Sequence, residues 1–109
     1  VAINPVILAE LCVGDLTPDT VAARLETLGI VILDLPSASS TRCAQAYAAY
    51  LENRRKQDTP EAPKTPLPDF FIGAHASLLS LPLATADLSR YQTYFPEIKL
   101  ITPSATGKP

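Results

Sequence analysis

The chain has 109 residues, of which 47% are apolar and 18% are charged, and its formal net charge is -2. This length suits one domain with one hydrophobic core, and the composition excludes a disordered chain and a small disulfide-built scaffold. The small net charge excludes a strong basic field over the whole surface, so any binding to nucleic acid has to be local.

Two proline signals start the first two predicted helices. Asn4-Pro5 begins a helix that runs to Gly14, and Thr17-Pro18 begins a second helix that ends at Gly29. Asn and Thr side chains cap free helix amides, Pro fits the first helical turn, and Gly commonly follows the last turn. The run IVILDL, at 30–35, is typical of a strand buried on both faces of a parallel sheet.

The second half of the chain continues the alternation of helices and strands. Ser39 or Ser40 is predicted to cap a long helix over TRCAQAYAAYLENRRKQ, which carries one apolar stripe. The four prolines of DTPEAPKTPLP predict a loop. The remaining predicted elements are a helix (DFFIGAHASLLS), a strand (LPLAT), a short helix (DLSRYQTYF) and a last strand (IKLIT).

Strands separated by helices imply right-handed crossovers and a mostly parallel sheet with helices on both faces. We therefore predict an α/β domain over residues 1–103, followed by a flexible tail at 104–109. Cys12 and Cys43 are too far apart for a metal knuckle or a redox pair, and they predict buried thiols in a reducing compartment. No segment approaches the about 20 apolar residues that span a bilayer, and no signal peptide opens the chain. We expect a cytoplasmic protein that does not enter a membrane.

Three acidic residues border the apolar elements. The helical neighbours of Glu10 are apolar, so its carboxylate is either paired, protonated or cation-bound, or lies at the edge of the stripe and reaches water. Asp69 and Asp87 begin predicted helices, and capping alone explains both. Asp87 also follows a strand, where ligand crevices lie in open parallel sheets. Spacing alone does not bring the three acids together.

The segments NPVILAEL, PDFFIGAHASLLSLPLATAD and SRYQTYFPEIKLITP resemble the corresponding parts of PIN-domain proteins, particularly the VapC toxins of toxin-antitoxin pairs. The resemblance spans residues 1–103 and implies a three-layer α/β/α fold. It implies that Glu10, Asp69 and Asp87 together hold Mg²⁺ or Mn²⁺ for the cleavage of RNA. It also implies a homodimer and an inhibitory antitoxin protein.

The family's chemistry agrees with the residue types. Clustered carboxylates repel one another, and a hard divalent cation with oxygen ligands relieves that repulsion. Such a cation can also activate water for attack on a phosphodiester. The resemblance adds the Thr85 hydroxyl to this pocket, although a β-branched residue in a strand needs no further explanation.

The sequence departs from the family pattern in two places. PIN domains begin with a central strand that ends in another catalytic aspartate, and this chain has neither, so we expect another chain or an N-terminal portion to supply that strand. Ala86 stands where related sequences carry an arginine, and Arg90 is the candidate to replace its phosphate contact.

Other polar and aromatic residues have ordinary structural explanations. His75 is predicted to be structural. The basic segment at 54–56 is typical of a helix end that faces solvent. Tyr91, Tyr94 and Phe95 either pack the last helix or stack on bases.

The predicted function is therefore a metal-dependent endoribonuclease. One alternative is a PIN-like module that no longer cuts RNA and only binds a protein partner. The other is an unrelated doubly wound ligand-binding domain, for which the sequence shows no glycine-rich phosphate loop.

Overall fold

The structure is a computed structural model that describes residues 1–14, 17–57, 63 and 65–102. Within these residues the chain forms five helices and four two-residue strands, so its class is α/β, as predicted. The chain divides into two units, Val1–Pro36 and Ser37–Pro109. None of the described helices is long and apolar enough to cross a membrane. The predicted tail at 104–109 lies outside the described residues.

The first unit is a short β-α-α-β segment. Its elements are β1 (Ala2–Ile3), α1 (Pro5–Leu11), α2 (Pro18–Thr27) and β2 (Val31–Ile32). The two strands are parallel, with Ala2 opposite Val31 and Ile3 opposite Ile32. Among the described residues of this unit, the buried apolar ones are Val21 and Leu25, which lie four positions apart on one face of α2.

Both predicted helix starts in this unit are confirmed. The Asn4 side chain accepts a hydrogen bond from the Ile7 amide at 3.0 Å. The Thr17 side chain does the same for the Thr20 amide at 3.3 Å. Each cap satisfies one of the amides that the first helical turn leaves without an intrahelical partner.

The prediction of a strand buried on both faces at 30–35 is wrong. The strand covers only Val31–Ile32, and Val31 is 55% exposed. A β-branched run shows a preference for extended backbone, but burial also requires packed layers on each side, which local composition does not encode.

The second unit begins with two long helices and ends with a small sheet. Its elements are α3 (Ser39–Lys56), α4 (Pro68–Leu79), β3 (Leu83–Ala84), α5 (Leu88–Tyr94) and β4 (Leu100–Ile101). The N-cap of α3 is Ala38, not a serine as predicted, and Ser39 is 2% exposed at the first helical position. Because Ser39 already lies within the first helical turn, its side chain is not at the N-cap position.

The core of the second unit is aromatic. Phe70 of α4 and Phe95, which follows α5, are both fully buried. The Phe70 ring meets the Tyr47 ring of α3 edge to face, with centroids 5.1 Å apart, a geometry favoured by aromatic quadrupoles. The predicted apolar stripe of α3 is buried at Cys43, Ala46 and Tyr47. Packing of α3 against α4 therefore builds this core.

Parallel pairing is confirmed, but among the described residues it occurs in two separate two-stranded sheets. In the second unit, Leu83 pairs with Leu100 and Ala84 with Ile101. Ladder bonds run from the Leu83 amide to the Lys99 carbonyl and from the Thr85 amide to the Ile101 carbonyl. Strand β3 thus ends beside Thr85, directly before the segment that carries Asp87.

Candidate active site

Asp69 lies in the first turn of α4, where a carboxylate is favoured by the helix dipole. Its Oδ2 atom lies 3.3 Å from Nη1 of Arg90, a residue of α5. The two side chains are 35% and 27% exposed, so the pair is partly shielded from water. The Asp69-Arg90 ion pair therefore links the beginning of α4 to α5.

Aromatic rings hold Arg90 in this place. Its guanidinium carbon lies 5.1 Å from the centroid of the Tyr50 ring and 5.5 Å from that of Phe70. A guanidinium at these distances is attracted to the electron-rich ring face. Because Phe70 is fully buried, Arg90 rests against a fixed part of the core.

Asp87 occupies the N-cap position of α5, although its carboxylate makes no capping hydrogen bond within the described residues. Its backbone amide instead donates to the Thr85 hydroxyl oxygen at 3.0 Å. The Ser89 hydroxyl donates to Asp87 Oδ1 at 3.5 Å, the outer limit of a hydrogen bond. The residue is exposed, so its carboxylate remains accessible from solvent.

Arg90 lies close to Asp87 in the sequence and forms an ion pair with Asp69. It lies three residues after Asp87, within the first turn of α5, and contacts Asp69 in the first turn of α4. Residues three apart at the beginning of a helix are neighbours on its surface. The contact therefore links the first turn of α4 to the first turn of α5, whose N-cap position Asp87 occupies.

Glu10 belongs to the other unit. It lies in the last turn of α1 and is exposed, so within that unit its carboxylate reaches water. The apolar neighbours in the sequence suggested a more enclosed position. They do not enclose Glu10, because α1 has no buried residue among them.

The described residues do not make up a metal site by themselves. No group of three or more His, Cys, Asp or Glu side chains among them could hold a metal ion. In the second unit the acidic residues singled out from the sequence are Asp69 and Asp87, and Asp69 already contacts a guanidinium.

Thr85 has a structural role at its predicted position. Its hydroxyl oxygen accepts from the Asp87 amide, which fixes the turn between β3 and α5. The hydroxyl hydrogen of Thr85 is still available to donate, since an alcohol is both donor and acceptor. Thr85 thus orients Asp87, which the family resemblance implies is a metal ligand.

A second polar cluster was missed by sequence reasoning. Glu97 accepts hydrogen bonds from Arg42 at 2.8 Å and 3.0 Å and from the Ser77 hydroxyl at 2.6 Å. The hydrogen bonds from Arg42 are the main cause that lowers the pKa of Glu97 from 4.5 to about 2. No local signal marks this cluster, because Arg42 and Glu97 are 55 residues apart in sequence.

Glu97 borders a cavity of about 270 Å³ in the second unit. The cavity is lined by Ala76, Ser77, Ser80, Leu81, Pro82, Glu97, Ile98 and Lys99. The arginine that contacts Glu97 is also fixed, because it donates to the Tyr94 carbonyl at 2.8 Å and lies over the Phe95 ring. This cluster therefore holds α3, α4 and the segment after α5 together.

His75 and Cys43 are buried within the second unit, whereas Cys12, also predicted to be buried, is not. His75 is 5% exposed on α4, and burial lowers its pKa, which favours the uncharged imidazole. Both cysteines are free thiols, with Cys43 buried and Cys12 half-buried. Burial raises the pKa of the Cys43 thiol and makes it a poor nucleophile.

A scan of the chain against models of protein families finds none that matches, and a search of curated proteins finds no match either.

Proposed function

We propose that this chain carries part of a PIN-like endoribonuclease of the VapC toxin type, with RNA as its substrate and Mg²⁺ or Mn²⁺ as its cofactor. The proposal starts from the sequence resemblance over residues 1–103 and includes the three-layer α/β/α fold and a cytoplasmic location. The structural observation that supports it most is the ion pair between Asp69 of α4 and Arg90 of α5, the helix that follows Asp87.

Each residue of the proposed site has its own role in binding the metal ion or the RNA. Asp69 and Asp87 supply carboxylate oxygens, which are the ligands that hard divalent cations prefer. Glu10 is the proposed third ligand. Arg90 binds a phosphate of the RNA, since a guanidinium forms strong, directional hydrogen bonds to phosphate oxygens. Thr85 orients Asp87 through the hydrogen bond to its amide.

The test is stabilisation of the chain by Mn²⁺. A ligand that binds only the folded state at five times its Kd stabilises that state by about 1 kcal/mol, which raises the melting temperature by about 4–8 °C for a small domain. We expect Asp87→Asn to remove most of this rise.

Asp19→Asn is the matched control, because Asp19 is an exposed acid in the first turn of α2. This variant should keep the rise of the unsubstituted chain. The proposal fails if Mn²⁺ leaves the melting temperature unchanged, or if both variants respond to it equally.

The proposed partners follow from the same resemblance. We propose that the protein forms a homodimer and that an antitoxin protein binds across the acidic site. Sedimentation velocity with and without a candidate antitoxin measures both associations. Competition between the antitoxin and Mn²⁺ is the expected result.

A second function is favoured by one specific observation. The Asp69 carboxylate is paired with the Arg90 guanidinium. This ion pair suits a PIN-like module that binds a protein partner and does not cut. A cleavage assay separates the two functions, since a nuclease cuts single-stranded RNA in Mn²⁺, does not cut in EDTA, and loses activity on Asp87→Asn.

A further inference from the structure

The basic end of α3 is not a uniform solvated face. Arg55 has a side chain that is 76% exposed and pairs with Glu52 on the same helix. Arg54 is half-buried instead. Arg54 and Arg55 are neighbours on one helix but have different surroundings. The half-buried position of Arg54 suggests a specific role.

Arg54 is held by Tyr50. Its guanidinium carbon lies 5.6 Å from the centroid of the Tyr50 ring, and its Nη1 donates to the Tyr50 hydroxyl at 3.3 Å. These residues are four positions apart on α3, so the arginine folds back along its own helix. This arrangement limits the rotamers of a long side chain, which lowers the entropy lost when it binds a ligand.

The same Tyr50 ring also holds Arg90, at 5.1 Å from its centroid. One tyrosine thus holds two guanidiniums that come from α3 and α5. Burial and the neighbouring Tyr50 raise the pKa of the Tyr47 hydroxyl, while the charges of Arg54 and Arg90 oppose that rise. The positive charges of Arg54 and Arg90 therefore lie close together, beside Tyr47 and Tyr50 in the second unit.

We propose that Arg54 is an RNA-binding residue that, together with Arg90, contacts phosphates of single-stranded RNA beside the Tyr50 ring. This inference rests on the proposed function and adds a phosphate contact to its site. Two planar guanidiniums fixed on a ring match the oxygens of phosphodiesters. The chain is weakly acidic overall, so a local pair of arginines is the kind of site that can attract RNA.

The proximity of Asp69 favours RNA over other phosphorylated ligands. Arg90 contacts both Tyr50 and Asp69, so the phosphate site adjoins the proposed cleavage site. A strand of RNA held by Arg54 would then pass Arg90 and reach the beginnings of α4 and α5. A compact ligand with one phosphate would not use both arginines and the aspartates together.

The experiment measures filter binding of a labelled 12-residue single-stranded RNA in EDTA at several salt concentrations. Each phosphate contact on a single strand contributes about 0.7 to the slope of log K against log salt, so two contacts predict a slope of about -1.4 or steeper. Arg54→Gln should weaken binding about tenfold and reduce the steepness by about 0.7, the loss of one contact. Arg55→Gln is the matched control and should change the affinity less than about twofold.

Circular dichroism and the melting temperature verify that each variant is folded. If Arg54→Gln does not fold, Arg54→Lys replaces it and should keep the slope while it loses affinity, because an ammonium keeps the charge but not the planar fork. The inference is overturned if the unsubstituted chain shows a slope near zero, or if Arg54 and Arg55 variants bind alike.

Parallel cleavage assays in Mn²⁺ keep the two proposals separate. Binding that depends on Arg54 without any cleavage supports the phosphate site and contradicts the nuclease. Cleavage that is unaffected by Arg54→Gln contradicts the phosphate site and supports the nuclease.

Discussion

Glu97 shows how three polar side chains can stabilise one another at the residue scale. Arg42 donates two hydrogen bonds to its carboxylate and Ser77 donates a third. Arginine and carboxylate form two parallel bonds in this geometry, which is stronger than a single contact between flexible side chains. The cluster therefore contributes to stability even though the Glu97 side chain is 40% exposed.

We expect the stability contributed by Glu97 to depend on pH. Its folded-state pKa of about 2 lies below the ordinary value of 4.5, so the ionised carboxylate stabilises the fold above pH 4.5 and loses this effect as the pH falls toward 2. Solvent exposure reduces the contribution to about 1 kcal/mol. Urea unfolding at pH 6 and pH 2.5 should show a smaller loss of stability in Glu97→Gln at the lower pH, where part of the carboxylate is protonated in the folded state and nearly all of it in the unfolded state.

The control for this measurement is Glu52→Gln, since Glu52 pairs with the exposed Arg55. It should change stability by less than about 0.5 kcal/mol at both pH values. An equal effect of the two substitutions would contradict the special role of Glu97.

Arg90 and a divalent cation are expected to compete for Asp69. Removal of the guanidinium in Arg90→Gln releases the Asp69 carboxylate, and a partly exposed ion pair of this kind is worth up to about 1 kcal/mol. Isothermal titration with Mn²⁺ should therefore give an affinity about two- to fivefold higher for this variant. The control is Arg42→Gln, which removes the partner of Glu97 and should leave the Mn²⁺ affinity unchanged. If Arg90→Gln binds Mn²⁺ more weakly than the unsubstituted chain does, the competition is refuted.

Gly73 is required by the packing of Phe95. A Cβ atom at this position would lie 2.6 Å from Cε2 of the Phe95 ring, and that ring is fully buried. Gly73→Ala should destabilise the chain by about 1–2 kcal/mol, because the steric cost exceeds the about 1 kcal/mol gained in helix propensity. In the Phe95→Leu background the same substitution should cost less, as a double-mutant cycle from urea unfolding will measure.

At the scale of single elements, the starts of α1 and α2 were predictable, whereas the serine cap of α3 and the lengths of the strands were not. Asn4 and Thr17 cap their helices through bonds to amides three residues ahead, so all the information lies within one short segment. Strand β1 pairs with a strand almost thirty residues away, and its register depends on where α1 and α2 place the chain. Sequence periodicity therefore found the helices but overestimated the length of the strands.

The two caps should differ in strength. Asn4 is 3% exposed and its bond is 3.0 Å long, while the exposed Thr17 makes a longer bond. Asn4→Ala should cost about 1–2 kcal/mol and Thr17→Ala about 0.5 kcal/mol, when measured by urea unfolding followed by far-ultraviolet circular dichroism. Equal costs would show that burial does not strengthen the Asn4 cap.

At the scale of the whole molecule, the sequence predicted the α/β class and the parallel pairing. It did not show the Arg42-Glu97 or Asp69-Arg90 contacts, which join residues 55 and 21 positions apart. The common site of Glu10, Asp69 and Asp87 and the three-layer fold stay predictions. Long-range contacts depend on how helices pack, and no local pattern records that packing.

The second unit is expected to fold on its own. Its core joins α3, α4 and α5 through Tyr47, Phe70 and Phe95. The first unit buries only two apolar side chains among its described residues, and segments below about 40 residues rarely fold alone. Calorimetry should therefore show a cooperative transition for residues 37–109 and none for residues 1–36, and the reverse result would contradict this division.

The positions of the tyrosines determine which part of this protein contributes to its intrinsic fluorescence. All four tyrosines lie after residue 36, and the chain has no tryptophan. Intrinsic emission therefore comes from the second unit alone, and the first unit can unfold without any change of its own in that signal. An emission dye or a tryptophan placed at the exposed Leu28 would give the first unit a signal of its own.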